Sequence, residues 1–138
     1  MGKPDDFSID LSVKHPSLEP SAISKALGIQ PKFAWRAGDP AGARVHNSTF
    51  WRGTLFRGHG AAEFEKALPG VLSILSDRQS FLNQIAPAGG ELTLTFRHVA
   101  EAQKGKTAEL SLRSPLLGAL AHLGAALVVE IWLPGDAD

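Results

Sequence analysis

The sequence of 138 residues contains no cysteine. This absence excludes disulfide frameworks, thiolate zinc sites, iron–sulfur clusters and cysteine nucleophiles. An excess of charge is also lacking, because 14 Lys and Arg residues balance 14 Asp and Glu residues. A chain with zero net charge has no overall field that draws it to nucleic acid or to anionic lipid. Any electrostatic recognition must therefore come from a local patch.

Long apolar runs are lacking as well. The best candidate, residues 119–133, is interrupted by His122, Gly124 and Glu130 and is too short to span a bilayer. No apolar signal core follows the N-terminus, so we expect a cytoplasmic protein. The hydrophobic content of 43% is typical of a globular chain. The length predicts a single domain over residues 1–138.

The first third of the chain predicts a strand, a short helix and a long connection. Strict alternation of apolar and polar residues over 7–13 predicts a strand with one buried face. Pro20 suits the first position of a helix, and Gly28 suits the left-handed residue that ends it. Residues 30–48 have no clear period. A connection of this length in a compact domain is either functional or mobile.

The middle of the chain predicts a second strand and a helix. Residues 49–56 are rich in Phe, Trp and Thr, which favour strands. Alternation places Phe56 on the same face as Phe50. Helical spacing of apolar residues follows over 61–75, and Pro69 inside it is expected to kink or divide the helix.

A further helix and a hairpin are predicted next. Ser76 resembles an N-cap with Gln79 three residues later, which is a capping-box pattern. Residues 91–99 and 107–113 both alternate, so we expect them to pair as antiparallel strands.

The last third predicts a helix and a central strand. Ser114 and Pro115 form a helix start, and Gly124 ends the helix. Residues 126–133 form the most apolar strand and are expected to be the most central one. The resulting order is βαβα(α)ββαβ. It predicts an α+β fold with one mostly antiparallel sheet of about five strands, helices packed on one face, and a relation to ferredoxin-like architectures.

Several segments carry a resemblance to a known family. They are the opening strand, residues 20–23 leading into 27–31, the turn at 36–39, Trp51 on the second strand, and the closing segment 116–131. Together they resemble a bacterial family of domains of unknown function, number 4279. Asp39 stands where that family more often has Glu. The resemblance covers nearly the whole chain and implies the fold and a single domain. It implies no activity, cofactor or catalytic residue.

Sequence signatures of catalysis are weak. No Gly-x-Ser-x-Gly elbow is present, so a hydrolase triad lacks its usual context. His59 and Glu63 are four residues apart, but zinc normally takes three or four protein ligands. The glycine pairs are not spaced as in a phosphate-binding loop. We therefore predict no catalytic residue, no metal site and no cofactor, and an enzyme of undetermined class is kept as an alternative.

One segment, residues 30–57, combines basic and aromatic side chains. Arg and Trp are enriched where interfaces carry binding energy. Basic and aromatic residues together also suit single-stranded nucleic acid, which the zero net charge disfavours. The simpler interpretation is that Trp51 is in the core and the arginines are solvated. The residues concerned are Lys32, Arg36, Arg44, Arg52 and Arg57, opposed only by Asp39, with Phe33, Trp35, Phe50, Trp51 and Phe56 between them.

Two binding functions follow from this segment. The first is a small protein-interaction module, accessory or immunity-like, with Trp35 and Arg36 as exposed anchors and Arg52 beside them. Asp39 and Trp51 complete the predicted binding set. The alternative is a domain that binds a small anion between this segment and the sheet, held by Arg36 and Arg52. Neither nucleic acid nor a membrane is expected as a partner, and the oligomeric state is left open.

Overall fold

A computed structural model describes residues 5–99 and 111–132. This part of the chain is a mixed α+β structure with a five-stranded, mostly antiparallel sheet and four helices. The strands are β1 (Asp6–His15), β2 (Phe33–Trp35), β3 (Pro40–Ala41), β4 (Arg44–Val45), β5 (Thr49–His59), β6 (Glu91–Val99) and β7 (Ala126–Trp132). The helices are α1 (Pro20–Leu27), α2 (Ala61–Asp77), α3 (Gln79–Leu82) and α4 (Ser114–Leu123).

The strand order in the main sheet is β2-β5-β1-β6-β7. The first strand, β1, lies in the middle and is antiparallel to both β5 and β6. At the two ends of the sheet, β2 is antiparallel to β5, whereas β7 is parallel to β6. Strands β3 and β4 form a separate two-stranded ribbon.

One face of the sheet is apolar, and we call it the core face. Trp51 of β5 is fully buried there and donates its Nε1–H to Ser24 Oγ of α1 at 3.0 Å. Gly53 makes this packing possible, because a Cβ at that position would lie 2.5 Å from the Trp51 ring. The core joins Phe7, Ile9, Leu11 and Val13 of β1 to buried residues of all four helices, among them Ile23, Leu27, Phe64, Val71, Leu75, Leu82, Leu116 and Leu120.

Two helix ends form as predicted. Gly28 follows α1 with φ 69°, in the left-handed region, and its N–H donates to Ser24 O at 2.8 Å. Gly124 follows α4 with φ 67°. Glycine pays no Cβ penalty in this conformation, which explains why both helices end there.

The predicted division of the second helix at Pro69 and the predicted capping box do not occur, whereas a kink at Pro69 stays a prediction. Helix α2 continues through Pro69 to Asp77, so the proline does not divide it. The capping box at Ser76 is also wrong, because Ser76 lies inside α2 and Arg78 precedes α3 without a side-chain cap. The guanidinium of Arg78 instead donates to Leu27 O at 3.3 Å and links the end of α2 to α1.

A β-bulge in β5 changes the predicted face of Phe56. Ile9 lies opposite Phe56, whereas Asp10 lies opposite Thr54, which leaves one extra residue in β5. Phe56 therefore packs against the core, and a Cβ on Gly70 of α2 would lie 2.5 Å from its ring. The predicted position of Phe56 beside Phe50 is wrong for this reason.

The far end of the sheet also differs from expectation. Strand β7 stands at the end of the described sheet rather than at its centre. The predicted hairpin strand 107–113 lies mostly outside the described residues. Between Thr93 and His98, β6 is paired with β1 on one side and with β7 on the other. Among the described helices, none is long and apolar enough to cross a membrane.

Candidate functional site

The second face of the sheet carries polar and aromatic side chains, and we call it the polar face. On β1 it is formed by Ser8, Asp10 and Ser12, which alternate with the core residues. Residues directly opposite each other on neighbouring strands project to the same face. Ser12 lies opposite Arg52, and Arg52 lies opposite Phe33. The polar face therefore reaches from the middle of the sheet to β2.

Four stacked rings form one end of the polar face, and we call them the aromatic ridge: Phe33, Trp35, His46 and Phe50. The Trp35 ring is sandwiched between His46, with ring centroids 4.3 Å apart, and Phe50, at 4.8 Å. Phe33 stacks on Phe50 at 5.7 Å. Both ring faces of Trp35 are therefore covered by its own chain, while Phe33 is 46% exposed.

The segment that carries the ridge is closed by hydrogen bonds. The Asp39 carboxylate accepts the N–H of Arg36 at 2.8 Å, and the Asp39 carbonyl accepts the N–H of His46 at 2.9 Å. The hydroxyl of Thr49, which is fully buried, accepts the N–H of Ala37 at 3.1 Å. The connection between β2 and β5, which contains the β3–β4 ribbon, is thus held by hydrogen bonds that keep His46 against Trp35.

A buried ionic cluster lies beside the ridge. Asp10 is fully buried, and its Oδ2 accepts a hydrogen bond from Arg52 Nε at 2.9 Å. Its Oδ1 accepts a bond from the Thr54 hydroxyl at 2.9 Å, and Lys32 Nζ lies 3.5 Å from Oδ2. A carboxylate removed from water requires such partners, since an unpaired buried charge costs many kcal/mol. Arg52 and Lys32 thereby lie across the middle of the polar face.

Arg52 is incompletely satisfied. Its Nη2 is buried and has no hydrogen-bond partner among the described residues. A buried donor without an acceptor costs roughly 1–3 kcal/mol. The ionic cluster therefore holds the Arg52 guanidinium in a fixed position, and the unpaired Nη2 lowers the stability of the fold by part of this free energy.

The family model of a domain of unknown function, DUF4279, matches residues 5–134. The chain belongs to the DUF4279 family. This confirms the family that the sequence resembles. No curated protein and no solved structure is significantly similar to the chain. The family is one of unknown function and brings no activity to the chain.

The binding residues predicted from sequence separate into two groups in this DUF4279 chain. Trp35 is in the aromatic ridge, and Arg36 follows it with a side chain that is 57% exposed, 3.7 Å from Glu19 and 3.6 Å from Asp39. Arg52 faces the same side but turns to Asp10. Trp51 is fully buried on the core face, so it does not contribute to the polar face. Arg36 and Arg52 therefore engage different carboxylates.

Three residues of this DUF4279 surface are absent from the predicted set. Asp10 appears in the sequence only as a polar position of an alternating strand, and its partner Arg52 is 42 residues away. Thr54 and His46 carry no local signal either, because their contacts depend on strand register. Among the described residues, no group of three or more His, Asp and Glu side chains could hold a metal ion.

Proposed function

We propose that the protein is a small cytoplasmic bacterial protein-interaction module, accessory or immunity-like, that binds its partner through the aromatic ridge. The observation that carries this proposal is the stacking of Trp35 between His46 and Phe50. An anchor that is already packed loses little conformational freedom when a partner arrives. Aromatic anchors of this kind carry much of the energy of protein interfaces.

The stacking also favours a protein over nucleic acid. A base binds an aromatic side chain by stacking on an open ring face. Trp35 offers no open face, because His46 covers one side and Phe50 the other. What the ridge offers instead is ring edges and the exposed side chain of Phe33. These suit the aliphatic and carbonyl groups of a folded partner.

The surroundings of the ridge indicate the chemistry of that partner. Val45 in β4 is 57% exposed. Arg36 and Arg44 are both exposed. The Arg36 guanidinium lies near Glu19 and Asp39, whereas the Arg44 side chain makes no ion pair or hydrogen bond within the described residues. An apolar centre beside an unpaired cation, here Arg44, is complementary to an apolar patch that is flanked by Asp or Glu. We therefore expect a partner with a locally acidic surface.

We further propose that the helices cover only the core face, as in ferredoxin-like folds. The aromatic ridge on the other face is then accessible to a partner. The support for this arrangement is that the buried residues of α1, α2, α3 and α4 all belong to the core that contains Phe7 and Val13. Ser8, Asp10 and Ser12 project away from that core. The polar face is then the side on which a partner can lie.

The test begins with capture of partners by tagged wild-type protein from a lysate of the source cells, with and without nuclease. A protein that is recovered in stoichiometric amount after nuclease treatment is then purified, and its affinity is measured by calorimetry. We expect Trp35→Ala combined with Arg36→Ala to weaken binding by about 2 kcal/mol or more. The matched control is Leu117→Ala, which changes an exposed residue of α4.

Two results would overturn the proposal. One is that the variant with both Trp35→Ala and Arg36→Ala binds the partner as tightly as the wild type, while Leu117→Ala binds it less tightly. The other is recovery of nucleic acid, or of proteins that are lost when the lysate is treated with nuclease.

A further inference from the structure

A groove of about 610 Å³ lies on the polar face at the opposite end of β1 from the aromatic ridge. We call it the basic groove. Small-molecule sites in proteins typically measure roughly 300–1,000 Å³. Its polar lining consists of Ser8, Lys32, Arg57, His59 and Arg97, together with the carboxylates of Asp6 and Glu63.

Two arginines flank one serine in the floor of this groove. Ser8 lies opposite Arg57 on β5 and opposite Arg97 on β6. Neighbouring strands are about 4.8 Å apart, so the two arginine backbones are separated by roughly 10 Å on the same face. The short hydroxyl side chain of Ser8 leaves the space between them open. Two guanidinium groups and a hydroxyl therefore border one opening.

These cations retain donors for a ligand. Arg57 is exposed, and its side chain has no hydrogen-bond or ion-pair partner among the described residues. Arg97 uses its Nε to donate to Glu130 at 3.0 Å, and its guanidinium lies 5.5 Å from the centre of the Trp132 ring. These two contacts orient Arg97 without using its terminal nitrogens. Lys32 reaches Asp10 only at 3.5 Å.

The carboxylates of the groove lie to one side of this opening. Asp6 is one row further along β1, opposite His59, and accepts a bond from His59 Nδ1 at 2.9 Å. Glu63 is in the first turn of α2. The two carboxylates that line the groove thus belong to the end where α2 begins, whereas Arg57 and Arg97 border the middle, where Glu130 pairs with Arg97 from outside the lining.

We propose that the basic groove binds the phosphoryl group of a small phosphate monoester between Arg57 and Arg97. Arginine forks match phosphate oxygens and form strong charge-assisted hydrogen bonds with them. The Ser8 hydroxyl is placed to donate to a third oxygen. Because the groove is much larger than a phosphate ion, the remaining volume takes the organic part of the ester. This site does not depend on the aromatic ridge or on its partner.

The experiment is calorimetric titration of the whole chain at fixed ionic strength with two probes, phenyl phosphate and inorganic phosphate. Phenyl phosphate is expected to bind to the wild type and to bind more tightly than inorganic phosphate. Arg57→Gln should weaken binding about tenfold or more, since it removes a charge-assisted hydrogen bond. Its fold is expected to persist, because Arg57 has no partner to lose in the described part of the chain. The matched control is Arg113→Gln, which removes an exposed arginine that does not line the groove and should bind like the wild type.

A second variant, Ser8→Glu, tests the same geometry without removing an arginine. It places a carboxylate between Arg57 and Arg97, where cross-strand pairs of opposite charge are stabilising. We expect a higher melting temperature and loss of phenyl phosphate binding.

Equal binding by the wild type and Arg57→Gln would overturn the proposal, as would the absence of binding at millimolar phenyl phosphate. Binding of inorganic phosphate without the ester would contradict the proposed ligand class. Capture of a protein partner is measured separately and should be unchanged in Arg57→Gln. Failure here and failure of the ridge are therefore distinguishable.

Discussion

The two faces of the sheet use similar side chains for different purposes. Phe50, Trp51 and Arg52 are consecutive in β5, yet Trp51 is buried against α1 while Phe50 and Arg52 belong to the polar face. On the core face, aromatic rings pack against helices. On the polar face, Trp35 stacks on His46 and Phe50, which belong to the same stretch of the chain. An aromatic cluster in a sequence therefore has to be divided by strand period before any part of it is assigned to binding.

The largest effect on stability is expected on the core face. Trp51→Ala removes a fully buried indole and leaves the Ser24 hydroxyl without its donor. We expect a loss of about 3–5 kcal/mol in the free energy of unfolding. Chemical denaturation followed by circular dichroism measures it. The comparison is Trp35→Ala on the polar face. Equal losses of unfolding free energy in the two variants would contradict the difference between the faces.

The next largest effect is expected in the buried ionic cluster. Asp10→Ala leaves Arg52 and Lys32 without their carboxylate, and breaking a buried ion pair on one side costs about 3 kcal/mol or more. Combining Asp10→Ala with Arg52→Met should recover much of that loss, because no guanidinium is then left unpaired. A double-mutant cycle in denaturant measures the coupling. Strictly additive losses would contradict the account.

A smaller effect is expected in the turn that holds the ridge. Asp39→Ala removes the acceptor for the N–H of Arg36 and should cost about 1 kcal/mol. Asp39→Asn is the matched control, because its amide oxygen can still accept this bond. Denaturation midpoints of the two variants compare them. Equal midpoints for both would show that the carboxylate does not close the turn.

The smallest effect is a gain, expected on the outer side of α4. A Cβ at Gly118 would meet no atom of the described residues within 4 Å. Gly118→Ala should therefore stabilise the helix by about 0.5–1 kcal/mol. Gly70→Ala is the contrasting change, because its Cβ would lie 2.5 Å from the Phe56 ring. If Gly118→Ala is destabilising in thermal unfolding, the outer side of α4 is packed against other parts of the chain.

Local patterns were sufficient to predict much of the fold. Alternation located β1 and β6, and the glycines after α1 and α4 were predicted as helix ends because their role depends on neighbouring residues only. The predictions failed where contacts between distant residues decide the outcome. The bulge that turns Phe56 to the core depends on the pairing of β1 with β5. The backbone bonds of α2 continue past Ser76 despite its capping-box pattern.

The candidate site was predictable only in part, for the same reason. Trp35 and Arg36 were identified from residue type and lie in the segment that carries the ridge. Asp10 was not identified, because its burial results from Arg52 and Lys32, which are distant in the chain. The pairing of Arg57 and Arg97 across Ser8 depends on strand order, which periodicity does not determine.

The most direct test of the central claim compares photo-crosslinking from the two sides of the molecule. A photoreactive phenylalanine derivative is placed at Phe33 in one variant and at Leu117 in another, because these residues are 46% and 43% exposed. After irradiation in the source cells, covalent products are identified by mass spectrometry. The account predicts that position 33 is linked to one protein partner and that position 117 is not. Linkage of that partner to position 117, with none at position 33, would contradict the assignment of the aromatic ridge as the binding surface.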